Sequence, residues 1–337
     1  MVDKLFYNTV LAQTFSACGN FLLASNTYGE VATFDLQKIL NPGDGFGPPC
    51  RESEYHFVAK SDMQVCSMVT TDKFLITGLT GEISGWDWKT ITSGSNPKQS
   101  WNIQITTAKD AVDKPDVNSL VVSKEDNLLY AGCGDNKIYA FSLEDGKLVR
   151  TMSGHEEYIH SIVKFGGHLA SAGEDGFVKL WDLRQKECVA SLQPHLKEKV
   201  ARPELGKWIG TVDLSEDWLL CGGGPRLSLW HLRSMDVMTA FPLEDMGIHV
   251  AMFQDDRILV GGTMPHFYHL NYSGKVYAQV PISSTTIYSV AYQESPVKVM
   301  CLAGSSSKID VCSNFTYRDQ VLSFAPRIKS SNFPAPY

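Results

Sequence analysis

The 337-residue sequence lacks a long apolar run and lacks an excess of basic residues. No window approaches the roughly 18 consecutive apolar residues that a membrane-spanning helix needs. The formal net charge of −7 offers no broad positive surface of the kind that neutralises nucleic acid phosphates. We therefore expect a soluble, intracellular protein that binds neither membranes nor a nucleic acid through a basic groove.

The sequence also lacks closely paired cysteines, because its eight cysteines include no CxxC and no zinc-finger spacing. Several lie inside predicted strands, where a free thiol packs as a small apolar group: Cys66, Cys133, Cys221 and Cys301. This usage is typical of the cytosol or nucleus. Among the histidines, His266 and His269 are three apart, which places them on opposite faces of a strand. We therefore predict no metal site.

What the sequence does contain is the unit Gly154–Arg184, GHEEYIHSIVKFGGHLASAGEDGFVKLWDLR. Three short runs in it alternate apolar and polar residues: Tyr158–Lys164, His168–Ala172 and Phe177–Trp181. Gly-Gly separates the first two runs, and Glu-Asp-Gly separates the last two. Alternation closed by an Asp-Gly turn predicts a three-stranded antiparallel meander, which needs neighbours to cover its apolar faces.

Six further segments repeat this frame of a strand rich in small residues, a turn, and a strand that ends on a large apolar residue. They are Leu22–Asp35, Phe74–Asp87, Leu129–Ser142, Leu219–His231, Ile258–Leu270 and Val299–Cys312. The positions equivalent to Trp181 are 34, 86, 141, 230, about 268 and 312, so the units are roughly 38 to 55 residues apart. A fourth strand can follow each unit. This period predicts an all-β fold, a single seven-bladed β-propeller with degenerate repeats.

The Gly-His and Trp-Asp pairs that bracket the reference unit resemble those of the WD40 repeat family, closely in this unit and loosely in the other six. We assign residues 8–324 to the propeller, 1–7 to a short N-terminal segment and 325–337 to a disordered, proline-rich tail. Three long connections are expected to be surface loops, where binding residues are often found: 37–54, 89–99 together with 106–115, and 193–207.

His155, Ser171 and Asp175 have the residue types of a nucleophilic triad, but the resemblance implies another role. In WD40 blades these positions and the strand tryptophan form a buried chain of hydrogen bonds. We therefore interpret His155, Ser171, Asp175 and Trp181 as a structural tetrad that satisfies buried polar groups. Asp175→Ala is then expected to cost about 1–3 kcal/mol of stability. We predict no catalytic residues, no cofactor and no small-molecule substrate, and therefore no enzyme.

Trp181-Asp182-Leu183-Arg184 permits a second interpretation. Trp-Asp-x-Arg resembles the motif by which some WD40 proteins bind the adaptor of a cullin-RING ubiquitin ligase. Docking through Trp181, Asp182 and Arg184 would make the protein a substrate receptor. The alternative is that WDLR is the ordinary end of a well-formed repeat, with Arg184 on the blade edge.

A more specific resemblance lies in the degenerate blades. Residues 207–234, KWIGTVDLSEDWLLCGGGPRLSLWHLRS, and 16–28, SACGNFLLASNTY, are similar to the WD-repeat subunits of the THO complex, as is GEDGFVKLWDLR at 173–184. The resemblance runs from about residue 8 to Phe324. It implies a non-catalytic nuclear subunit of the THO core of TREX, which couples transcription and splicing to mRNA export. The implied partners are other THO subunits, chiefly the coiled-coil subunits 5 and 7, with mRNA contacted indirectly.

Overall fold

The structure is a computed structural model that describes residues 7–40, 51–93, 96–105 and 114–324. These residues form seven four-stranded antiparallel sheets, each built from four strands consecutive in the chain. The fold is the predicted seven-bladed β-propeller, and we number its sheets as blades 1 to 7 in chain order. The predicted tail at 325–337 and residues 1–6 lie outside the described residues, and the assigned domain bounds stay a prediction.

In each blade the first strand lies nearest the central channel and the fourth forms the outer rim. Blades 1 to 3 contain β1 Val10–Phe15, β2 Phe21–Asn26, β3 Glu30–Asp35 and β4 Tyr55–Val58; β5 Val65–Thr70, β6 Phe74–Leu79, β7 Glu82–Asp87 and β8 Gln99–Gln104; and β9 Val117–Ser123, β10 Leu128–Cys133, β11 Lys137–Ser142 and β12 Leu148–Ser153.

The remaining four blades follow the same plan. They contain β13 Ile159–Phe165, β14 His168–Gly173, β15 Val178–Asp182 and β16 Cys188–Leu192; β17 Ile209–Leu214, β18 Trp218–Gly223, β19 Ser228–His231 and β20 Asp236–Ala240; β21 Ile248–Gln254, β22 Arg257–Gly262, β23 His266–Asn271 and β24 Val276–Pro281; and β25 Ile287–Gln293, β26 Val299–Gly304, β27 Lys308–Cys312 and β28 Gln320–Ser323. The predicted fourth strand is confirmed in every blade.

Two short helices begin connections that the sequence predicted as plain loops. Helix α1 spans Leu36–Leu40 and buries Leu36 and Ile39, and helix α2 spans Trp88–Thr92. The Asp87 carboxylate caps α2 by accepting a hydrogen bond from the Lys89 amide. Neither helix in the described ranges has the length or hydropathy to span a bilayer.

The hydrophobic core lies between the blades as seven layers, one at each interface between neighbouring blades. The second strand of each blade is buried along nearly its whole length, because both of its faces pack against neighbouring blades. This burial explains why those strands contain small and aliphatic residues rather than a strict alternation. Each layer is shared, so no blade is stable alone.

Blade 6 corrects one sequence prediction. Ile258 pairs with Leu270 in the register in which Leu169 pairs with Trp181, so the equivalent position is Leu270 rather than about 268. The aromatic residue Tyr268 suggested the wrong register, because most of the other units carry an aromatic residue at this position. Leu270 is fully buried, whereas Tyr268 is only partly buried.

Among the described residues, blades 7 and 1 are each built from four consecutive strands, so no strand is exchanged where they meet. Side-chain amides bridge the interface instead: Gln13 Nε2 donates to the carbonyls of Ser289 (3.0 Å) and Cys301 (3.3 Å), and Gln293 Nε2 donates to Gly19 O (2.8 Å). A shared apolar layer, which includes Phe324, covers the same interface. Closure therefore depends on side chains that are far apart in the sequence.

Candidate interaction surfaces

The four residues interpreted as a tetrad lie in one buried chain of hydrogen bonds in blade 4. Trp181 Nε1 donates to Ser171 Oγ (2.9 Å), and Ser171 Oγ lies 2.7 Å from His155 Nε2. His155 Nδ1 lies 2.8 Å from Asp175 Oδ2. The Trp181 and Ser171 side chains are inaccessible, which leaves no path for a substrate to reach the serine hydroxyl.

Asp175 is the acceptor at the end of this chain. Besides His155, its carboxylate accepts hydrogen bonds from the amides of Glu156 (2.9 Å) and Phe177 (3.1 Å). Burial opposes ionisation, but these hydrogen bonds outweigh it and hold the pKa of Asp175 below its usual value. The next residue, Gly176, has a φ of +81° and forms the turn between β14 and β15.

Other blades keep only fragments of the tetrad. In blade 2, Trp86 Nε1 donates to Thr77 Oγ1 (3.0 Å), and in blade 5, Trp230 Nε1 donates to Ser228 Oγ (2.8 Å). The serine of blade 5 lies on the same strand as its tryptophan, so a different residue fills the acceptor role. These fragments satisfy the indole N–H without the histidine and aspartate of blade 4.

The WDLR motif is only partly accessible. Trp181 and Asp182 are buried, whereas the Arg184 side chain is 81% exposed. The Asp182 carboxylate accepts two hydrogen bonds from the Arg184 guanidinium, at 3.0 and 2.7 Å, and these lower the pKa of Asp182. Of the three residues proposed for docking, a partner would therefore contact only Arg184.

The long connection between blades 4 and 5 is anchored by a buried arginine. It contains 3-10 turns at Pro194–Leu196 and Pro203–Leu205. Between them Arg202 is 3% exposed and donates to six main-chain carbonyls at 2.7–3.2 Å. These carbonyls belong to two loops, at 223–225 and 243–246. The connection is therefore tied to blade 5 and to the start of blade 6.

Trp208 follows this anchored connection and lies at the mouth of the central channel. The indole N–H of Trp208 donates to Leu205 O (2.9 Å), and the ring stacks on His249 with centroids 5.1 Å apart. Tyr288 meets His249 edge-on, also at 5.1 Å. Blades 5, 6 and 7 thus line one side of the mouth with aromatic rings, which we call the aromatic wall (Trp208, His249 and Tyr288).

The opposite side of the mouth is polar. Gln64, Asn118, His160 and Glu174, from blades 2, 3 and 4, line the same cavity, whose volume is about 510 Å³. His160 Nε2 lies 2.9 Å from Glu174 Oε2, whose side chain is 46% exposed. We call these four residues the polar wall.

A third surface lies on the outer rim of blades 3 to 6. The fourth strand of each of these blades has a bulge, and the extra residue of that bulge is apolar and exposed. The exposed fractions are 58% for Val149, 46% for Val189, 58% for Met238 and 51% for Tyr277. We call these four residues the rim band.

The structure brings together the four residues that the sequence singled out, but neither the aromatic wall nor the rim band was predicted from the sequence. The rim band had a usable signal, because in four units an exposed apolar residue follows the residue equivalent to Trp181 by seven or eight positions. The aromatic wall had none, since Trp208 and His249 are separated in sequence and meet only through the propeller ring. The seven cysteines in the described ranges are free thiols. Within those ranges no cluster of three His, Cys, Asp or Glu side chains resembles a metal site.

Comparison with known proteins finds one repeat family that matches part of the chain and relatives that match almost all of it. The WD domain, G-beta repeat family matches residues 146–182, which include most of blade 4. THO complex subunit 6 of Drosophila melanogaster is 37% identical over 94% of this chain and 89% of its own length. The Homo sapiens protein of the same name is 37% identical over 94% of this chain and 93% of its own length. The Arabidopsis thaliana protein is 23% identical over 88% and 85%.

Proposed function

Since the chain belongs to the THO complex subunit 6 family, we propose that it is a non-catalytic scaffold subunit of the THO core of TREX. In this role it works in the nucleus, where TREX couples transcription and splicing to mRNA export. The observation that supports the proposal most strongly is the extent of the similarity: 94% of this chain aligns with 89% of the Drosophila melanogaster protein. The shared region is therefore the whole propeller rather than one generic repeat.

We propose that its direct partners are the coiled-coil subunits 5 and 7 of the complex. The rim band supports this assignment, because its exposed apolar side chains are contacts that the apolar stripe of an amphipathic helix can cover. Val189 also lines a groove of about 530 Å³ between blades 4 and 5, together with the exposed ring of Phe165. mRNA is then contacted through the complex, in keeping with the net charge of −7.

The test is affinity purification of the tagged protein from nuclear extract. We expect the unchanged chain to recover the other THO subunits in stoichiometric amounts. A double variant, Val189→Glu with Met238→Glu, should lose the coiled-coil subunits, because two charges would enter an apolar contact. Val58→Glu is the matched control, since Val58 is 49% exposed on the outer strand of blade 1, away from the rim band.

Recovery of no THO subunit by the unchanged chain would refute the proposed membership. If all variants recover the complex equally well, membership stands but the rim band is not the contact. Thermal melting of each variant separates a lost contact from a lost fold.

The ligase receptor is the second candidate, and the exposed Arg184 side chain is the observation that favours it. The same purification tests it, because a receptor would recover the cullin adaptor in stoichiometric amounts. Arg184→Ala should abolish that recovery without affecting THO subunits. If no adaptor is recovered, WDLR is the end of a regular repeat.

A further inference from the structure

We propose that the mouth of the central channel binds one basic side chain, lysine or arginine, presented by a segment of a partner protein. The proposal depends on the cavity between the aromatic wall and the polar wall, and it stands whether or not the protein joins a THO complex. The cavity volume of about 510 Å³ suits one long side chain with its flanking backbone.

The aromatic wall is held in place before any ligand arrives. Trp208 is fixed by its hydrogen bond to Leu205 O and by its stack on His249. Gly210 makes room for the indole, because a Cβ there would lie 2.7 Å from the Trp208 ring and 2.6 Å from Ile248 O. A preformed ring loses little conformational freedom when a ligand binds, which favours affinity.

The chemistry of the lining favours a cation. The faces of Trp208 and Tyr288 attract positive charge through their quadrupoles, and the stem of a lysine or arginine packs well on such rings. Burial, with a smaller contribution from His160, lowers the pKa of His249 to about 4, so that ring is neutral at pH 7 and does not repel a cation. No lysine or arginine is among the described residues that line the cavity.

The polar wall supplies the counter-charge. Glu174 is bonded to His160 through one carboxylate oxygen and remains 46% exposed, so it can accept a hydrogen bond from a bound cation. Asn118 also lines the cavity and donates its side-chain N–H to Ile159 O (2.8 Å). Lys207, the neighbour of Trp208 in the chain, is paired with Glu157 at 3.6 Å. An anionic segment such as RNA would face the Glu174 carboxylate unfavourably, which is why a basic protein segment is the better match.

The experiment measures binding of short fluorescent peptides by anisotropy at physiological salt. The peptides have neutral ends and a single central residue: arginine, lysine, trimethyllysine, citrulline or norleucine. We expect saturable binding of at least one cationic peptide and none of the citrulline or norleucine peptides. Tighter binding of the trimethyllysine peptide than of the lysine peptide would identify the aromatic wall as the main contact. Tighter binding of the arginine peptide than of the trimethyllysine peptide would identify Glu174 as the main contact.

Two variants test the walls. Glu174→Gln and Trp208→Leu should each weaken binding by about five-fold or more, as expected for loss of one charge-assisted hydrogen bond or one cation–π contact. The chain is acidic, so non-specific attraction must be separated from site binding. Glu187→Gln removes the same charge from an exposed position on the outer side of blade 4, and it should leave binding unchanged.

The proposal is overturned if no cationic peptide binds saturably at millimolar concentration. It is also overturned if Glu187→Gln weakens binding as much as Glu174→Gln does. Because Glu174 is exposed, its substitution is compatible with folding, so the test does not depend on Trp208→Leu remaining folded.

Discussion

Replacing Asp175 by alanine should destabilise the propeller by about 2–4 kcal/mol, more than the roughly 1–3 kcal/mol expected from the sequence, because two backbone amides also donate to its carboxylate. The substitution removes the acceptor of three hydrogen bonds, from His155 Nδ1 and from the amides of Glu156 and Phe177. The His155 ring is inaccessible, so its N–H would be left unpaired in the interior, at a cost of about 1–3 kcal/mol. The two amides add less, because Glu156 and Phe177 are not fully buried and water can replace part of the lost bonding.

The same residue predicts a dependence on pH with a definite sign. The folded state holds the pKa of Asp175 below its usual value, so the unfolded chain binds the proton more tightly. Stability from this group is therefore complete above the unfolded pKa of about 3.9 and is lost as the pH falls through the folded pKa. Asp175→Ala removes this contribution, so the difference between the two proteins should shrink as the pH falls below about 4.

The assay is urea unfolding followed by tryptophan fluorescence at pH 7, 5 and 3.5, with equal slopes as a condition for comparing midpoints. Asp145→Ala is the matched control. The side chain of Asp145 is also bonded to a neighbouring amide and paired with Lys147, but it is exposed in its turn. The control should unfold at the midpoint of the unchanged protein. If Asp175→Ala does the same, the tetrad does not stabilise the fold. If it loses partner binding at full stability, its role is functional.

Three further substitutions have expected outcomes. Arg202→Lys should lower the melting temperature by about 5 °C in scanning fluorimetry, since lysine cannot donate to six carbonyls. An unchanged melting temperature would show that Arg202 does not anchor the connection. Burial raises the pKa of Asp213 to about 6, so the folded protein retains a proton on this carboxyl between about pH 4 and 6, where the unfolded chain has lost it. Stability should therefore fall as the pH rises through this range. Asp213→Asn should abolish that fall in urea titrations. Gln13→Leu should lower the urea midpoint by removing two hydrogen bonds to carbonyls of blade 7, whereas an equal midpoint would show that apolar packing alone closes the ring.

The propeller could be predicted because the sequence pattern of each strand is local. Period-two alternation and Asp-Gly or Gly-Gly turns depend on neighbouring residues, so Gly154–Arg184 specified its own strands to within a residue. The predicted register of blade 6 was wrong because it also depended on a local pattern. Its register is set by Leu270 packing in the layer shared by blades 5 and 6, and a local pattern cannot show which of two nearby apolar residues is buried.

The features that were missed depend on contacts between distant residues. Gln13 bonds to a carbonyl 276 positions away, and Arg202 bonds to one 44 positions away. Glutamine and arginine are ordinary surface residues in composition, so nothing in the sequence marks these two as buried. The aromatic wall is similar, since Trp208 meets His249 only because adjacent blades place their inner strands side by side.

The distribution of these features separates stability from recognition within one ring. Blade 4 satisfies its buried polar groups with the complete tetrad, and its turns are short. Blades 5 and 6 lack that network, and the connection ahead of blade 5 is anchored instead by Arg202, which holds Trp208 at the channel mouth. A long connection needs its own anchor, because a loop without one would give the aromatic wall no fixed position. Loss of the Arg202 anchor should therefore weaken binding at the mouth more than loss of Asp175 does, even where both lower stability equally, and peptide anisotropy on the two variants decides this.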